Sequence, residues 1–154
     1  MDRPRAVIVH SLDQALAALA PGLPLTLLSA PGAACFAGIA WWQHLIAAAH
    51  TAAGAPPADI LDCADAPARA AEALRLGCSC VVLSPASPAF ASVRSIAEQT
   101  GGTLLPARPE AFDMATNRPG PWRDALLVQW LSVHAGSPRD NEWSSQGDNT
   151  PKLG

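Results

Sequence analysis

The chain has 154 residues, of which 49% are hydrophobic and 15% charged, with a formal net charge of −3. That length predicts one domain with a sizeable core, and a charged fraction well under the usual value of about 25% means that most elements are buried or that some surface is hidden in an oligomer. The charge balance excludes a basic field for nucleic acid, and the longest near-apolar stretch, 33–53, is broken by Gln43, His44 and His50, so no membrane span of roughly 20 residues is expected.

The opening residues, MDRPRAVIVH, carry charges but no apolar run long enough for a secretory leader. The four cysteines are therefore expected as reduced thiols in a cytoplasmic protein. Residues 5–10 form a short β-branched run and predict a buried strand. Ser11-Leu12-Asp13-Gln14 has the spacing of a capping box, which predicts a short helix stopped by Pro21-Gly22. Residues 25–29 (LTLLS) predict a second strand, and a single long helix is expected over 33–53, ending at Gly54. Trp41 and Trp42 lie about 100° apart round that helix, so both cannot point into one core. One of them is expected against a neighbouring element or another subunit, or flat on the domain's own surface.

Pro56-Pro57 forces an extended chain into a third strand over 58–63. Asp65 is the expected N-cap of the next helix, with Pro67 in its first turn and Gly77 just past its end. Residues 78–83 predict a fourth strand. Ser87 is expected to cap and Pro88 to open a helix closed by Gly101-Gly102, before a fifth strand over 103–106. The alternation then stops, and Pro109, Pro119 and Pro121 predict an irregular stretch over 108–120. Residues 122–134 predict a final helix with Leu126, Leu127, Trp130 and Val133 on one face, ended by Gly136. Residues 137–154 are polar and aperiodic and are expected as a disordered tail, leaving 1–136 as a single domain.

Five strands alternating with helices predict an α/β domain. The expected form is three-layer α/β/α with a mainly parallel five-stranded sheet, flavodoxin-like or Rossmann-like, plus the C-terminal helix. In such sheets ligands bind beyond the carboxyl ends of the strands. Those ends carry His10 and Ser11, Ser29, Asp62 and Cys63, and Ser84, with Arg108 after the fifth strand. Capping alone explains Ser11, Asp65 and Ser87. It does not require Asp62, which is the sharpest candidate, as a base or as a turn acceptor of backbone N–H groups. His10 is a candidate general acid or base provided that it lies near Asp62, and Ser84 completes the catalytic candidates. Ser29, Gly32 and Arg108 are candidate contacts for a small anionic ligand.

Several chemistries are excluded. The only lysine is Lys152 and there is no tyrosine, which removes Schiff-base, pyridoxal and Walker A chemistry and any tyrosine acid or base. No GxSxG, HExxH or GxGxxG occurs. Cys78 and Cys80, two apart on a predicted strand, should share a face, with Cys63 at a neighbouring strand end. C-x-C is not C-x-x-C, however, and neither a metal nor a cofactor is expected. His44, His50 and His134 sit on predicted helices without paired ligand spacing.

In layout the first 110 or so residues resemble a response-regulator receiver domain: Asp62 ends the third strand, Ser84 follows the fourth, and the fifth runs into LLPARP. They depart from it where the first strand ends Val9-His10-Ser11, since receivers carry an acidic pair for Mg²⁺ there, and where Arg108 stands loosely for the lysine after the fifth strand. These departures argue against a phosphoryl acceptor and for a degenerate receiver-like module at best. Small flavodoxin-like dehydratases are similar in size but rely on a tyrosine. Two functions therefore remain. One is a self-associating regulatory or interaction module, with contacts through Trp41, Trp42 and the C-terminal helix. The other is a small enzyme or anion binder at the carboxyl edge. Convergence of His10, Asp62 and Ser84 in an open cleft favours the second; a cleft filled by Trp122 or by the 108–120 stretch favours the first.

Overall fold

Each apolar run pairs over fewer residues than it contains, so the strands are shorter than the runs that predict them. A computed structural model describes residues 3–133. In chain order the elements are β1 (Ala6–Ile8), α1 (Leu12–Leu19), β2 (Thr26–Leu28), α2 (Ala33–Phe36), α3 (Ile39–Ala53), β3 (Ala58–Asp62), α4 (Pro67–Arg75), β4 (Cys80–Val82), α5 (Phe90–Thr100), β5 (Thr103–Leu105), β6 (Ala111–Asp113) and α6 (Pro121–Ser132). The strands form one parallel sheet in the order β5-β4-β3-β2-β1-β6. This is the α/β class that the alternation predicts, a parallel sheet with helices packed against it, with six strands rather than five. The sixth lies inside the stretch expected to be irregular. Its three residues fit between Pro109 and Pro119 and pair in register with β1, Ala6 opposite Ala111 and Ile8 opposite Asp113.

The strand order fixes how the sheet is covered. From β1 to β5 each strand is laid beside the previous one in the same direction, and right-handed crossovers then put successive helices on one face. Val7, Leu27, Leu61 and Val81 point to that face and share one buried cluster with residues from all six helices, among them Ala15, Ala33, Trp42, Leu74, Val93 and Leu127. The alternate residues Ala6, Leu28, Ile60, Cys80 and Val82 form a second, smaller cluster that contains no helix residue. These side chains are nonetheless at most 5% exposed. The chain connection explains why. In a flat sheet β5 and β6 would stand five strand spacings apart, about 24 Å, whereas the six Cα steps from Leu105 to Ala111 reach at most about 21 Å. The sheet must curl about its second face for that link to close. Residues 106–110 then run as a strap across the mouth of the curl.

Several local expectations are corrected. The single long helix divides at Gly38, which has φ 94°, into α2 and α3. Ser11 does cap α1, its hydroxyl accepting from the Gln14 N–H at 3.3 Å, while Gln14 Oε1 accepts from the His10 N–H at 2.8 Å. Asp65 does not cap α4, whose N-cap is Ala66, and Ser87 does not cap α5, whose N-cap is Ala89. The Ser87 hydroxyl is buried with no partner among the described residues. Trp42 is fully buried and donates its indole N–H to Asp59 at 2.8 Å, so it is not available to another subunit; Trp41 is half-buried against the same core. The buried face of α6 is Arg123, Leu127 and Leu131; of the expected set Leu127 is buried, Leu126 and Trp130 are half-buried, and Val133 is 57% exposed. His134, Gly136 and the 137–154 tail lie outside the described residues.

Candidate functional site at the carboxyl edge

Parallel strands bring their carboxyl ends to one edge, and there the strap crosses over β3. Asp62 is the last residue of β3 and is 3% exposed. Its Oδ1 accepts from the backbone N–H of Gly32 at 2.9 Å and of Ala64 at 2.7 Å, and its Oδ2 accepts from Arg108 at 2.6 Å. The second terminal nitrogen of Arg108 donates to the Ser29 carbonyl at 3.0 Å. The Ser29 hydroxyl accepts from the Asp62 N–H at 2.9 Å and donates to the Ala30 carbonyl at 3.1 Å. Four of the candidates named from sequence, Ser29, Gly32, Asp62 and Arg108, therefore meet in one knot.

The backbone of the knot is strained where it turns. Ala64, at φ 51°, is the only non-glycine with positive φ among the described residues. Left-handed alanine costs roughly 1–2 kcal/mol, and two ties hold it there, its N–H to Asp62 and its carbonyl to the Ser84 N–H at 2.7 Å. Gly32, at φ 68°, faces it: a Cβ at position 32 would come within 3.6 Å of the Ala64 Cβ. Glycine is required there by conformation rather than by space. A cleft of about 530 Å³ opens above, lined by Pro31, Gly32, Asp62, Ser84, Pro106 and Arg108. Ser84 contributes a half-buried hydroxyl whose one bond among the described residues is a weak one, at 3.4 Å, from the Ala86 N–H.

This geometry changes what the candidates can do. The donors expected to hold a small anion are already occupied, because Asp62 is the anion in that cradle. Both of its oxygens are engaged and it is shielded from solvent, which suits an anchor and not a proton-abstracting base. His10 is elsewhere. It follows β1, β2 lies between β1 and β3, and two strand spacings of about 10 Å separate it from Asp62. Its Nε2 instead meets Asp113 Oδ1 at 2.9 Å. The structure thus does not bring His10 and Asp62 together as an acid–base pair. Asp113 was missed from sequence because the strand that carries it was missed. Trp122 does not fill the cleft, being 74% exposed.

The cysteines form no joint site. Cys78 precedes β4 and packs into the helix-side cluster, whereas Cys80 belongs to the second face, so the two do not share a face as expected. Burial, with smaller help from Asp62, pushes the Cys63 thiol up to about 12, and burial with Asp59 pushes Cys78 up to about 11. No group of three or more His, Cys, Asp or Glu side chains among the described residues is placed to hold a metal ion. None of the described helices is long and apolar enough to cross a membrane. No protein-family model and no curated protein matches the chain.

Proposed function

We propose that this chain is a non-catalytic α/β module that works by self-association, with the outer face of α6 as its contact. The supporting observation is the exposure of Trp122 at 74% and Val133 at 57%. Eleven residues separate them, three helical turns, so they lie within about 20° of each other round the helix. The only charges on α6, Arg123 and Asp124, are neighbours that pair with each other at 3.3 Å. A solvated helix face is ordinarily charged, and exposed apolar patches on soluble chains mark contact sites. Trp42 is buried and does not reach this surface, and Trp41 is half-buried against the core. Sedimentation velocity on the full chain and on a Trp122→Arg, Val133→Asp variant tests the reading. The wild type is expected to sediment as a dimer or larger and the variant as a folded monomer. A wild type that stays monomeric into the high micromolar range would reject it.

A second reading, binding of a small molecule at the carboxyl edge, draws support from the open cleft of about 530 Å³, which lies within the roughly 300–1,000 Å³ typical of ligand sites. Since Asp62 neutralises Arg108 there and the exposed carboxylate of Asp65 also lines the cleft, the ligand fitting it is a hydrogen-bonding molecule without negative charge, contacting Ser84. Thermal-shift screening of uncharged metabolites against wild type and Ser84→Ala separates this reading from the first. A ligand at 100 times its Kd adds about 2.7 kcal/mol, and the shift should shrink in the variant.

A further inference from the structure

The strap has two sides. Its carboxyl-edge side holds the Asp62–Arg108 pair. Its other side walls a separate cleft of about 320 Å³ at the amino end of the second sheet face. The floor of that cleft is apolar, formed by Ala6, Ile60 and Leu105, and its rim carries Arg3, Arg5 and Trp130. From this we infer that the amino-end cleft is a binding site for a small organic anion, one carboxylate or phosphate group on a flat apolar body.

Charge sets this cleft apart from the first. At the carboxyl edge the guanidinium of Arg108 is neutralised by an internal carboxylate at 2.6 Å. No carboxylate among the described residues lies within ion-pair distance of Arg3. Its partner is the thiol of Cys80, 2.8 Å from Nη1. A buried thiol is a weak, neutral acceptor, and burial raises the Cys80 pKa although Arg3 pulls the other way. That partner does not neutralise the guanidinium and, among the described residues, takes one of its five donors. The Arg5 guanidinium lies 4.0 Å above the ring of Trp130, and that ring is fixed by its own N–H to the Ala6 carbonyl at 3.1 Å. The Arg3 guanidinium thus stands at the rim bonded to a neutral thiol, and Glu110 is the one carboxylate among the lining residues. A guanidinium fork matches carboxylate and phosphate oxygens, while Ile60, Leu105 and the Trp130 ring supply apolar contact for the body of the ligand.

Isothermal titration of the full chain with benzoate, phenyl phosphate and, as the uncharged control, benzyl alcohol tests the inference. Binding of either anion without binding of benzyl alcohol is the expected result. Arg3→Gln should weaken it by about tenfold or more, the loss of one charge-assisted contact, and Arg3→Lys should restore part of it. Ser84→Ala, in the other cleft, should leave it unchanged. Arg3 is exposed at the rim, so these substitutions leave the core intact. The inference is overturned if neither anion binds the wild type, if benzyl alcohol binds as well as benzoate, or if Arg3→Gln binds like wild type.

Discussion

Removing the Asp62 carboxylate tests the claim that it anchors the fold rather than performs chemistry. Asp62→Ala leaves the backbone N–H groups of Gly32 and Ala64 and the guanidinium of Arg108 without their acceptor. Breaking a buried ion pair from one side costs about 3–5 kcal/mol. The Arg108 side chain is 24% exposed and can regain water, which places the loss toward the lower end, about 3 kcal/mol. Asp62→Asn keeps an oxygen for the two N–H groups but loses the charge and turns a donor toward Arg108, so only the backbone part of the loss is spared and its cost should be about 1.5–3 kcal/mol. Arg108→Met supplies the other corner of a double-mutant cycle. Combined with Asp62→Ala it should destabilise by clearly less than the sum of the two, with a coupling of about 1–3 kcal/mol. Urea unfolding followed by circular dichroism measures all five proteins. The total stability of a domain this size is about 5–15 kcal/mol, so Asp62→Ala should still fold in the cold. A loss under about 1 kcal/mol, or strict additivity with Arg108→Met, would refute the anchoring role.

Two further predictions concern buried titratable groups. Burial raises the Asp59 pKa against the opposing hydrogen bonds from Trp42 and Ser79, so the native state holds that proton more tightly than the unfolded chain. Its contribution is then full below the ordinary value of 3.8 and is lost as pH rises through the raised native value. The stability of Asp59→Asn minus that of wild type should accordingly climb with pH across that window and then level off; a flat or falling difference contradicts the assignment. Among the thiols, Cys35 is exposed while Cys63, Cys78 and Cys80 are buried. Iodoacetamide at mildly alkaline pH should therefore label one cysteine quickly in the native protein and four in denaturant, as read by mass spectrometry, and two or more fast labels would show that the described packing is wrong.

The strand–helix alternation was legible because each element carries its own local signal: an apolar β-branched run, a proline in a first turn, a glycine past a helix end. The edge that gathers Ser29, Gly32, Asp62, Ser84 and Arg108 follows from parallel strands alone. β6 was not legible, because three residues, Ala-Phe-Asp, are too few for a periodic signal. What makes them a strand is register with β1, more than a hundred positions away. The partner of His10 was lost with it. The division of the long helix did have a signal in Gly38, which stands among alanines that also read as small packing residues. Asp65 and Ser87 fit the chemistry of caps at plausible spacings, yet the backbone positions its helices one or two residues further on. Asp59 could not be read as the partner of Trp42 without the fold, since nothing local joins a β3 carboxylate to an indole on α3.

The same few residues of the strap account for both clefts and for their difference. A link of this length across a six-stranded sheet has to be pinned, because its backbone crosses an apolar face with no helix behind it. Arg108 does this by reaching the one carboxylate at the end of β3, and the cost is that both charges are used up internally. An arginine spent in this way cannot also recognise an anion, so an Asp–Arg pair at a carboxyl edge, which sequence presents as the best functional candidate, is here the part of the edge least free to act. The residues with unused capacity are those that the fold does not need for closure. Arg3 borders a cleft and among the described residues holds only a thiol, and Trp122 opens α6 with three quarters of its surface in water. The two proposed sites accordingly fall at the amino end of the curl and on the outer face of α6, where Arg3 and Trp122 keep that capacity.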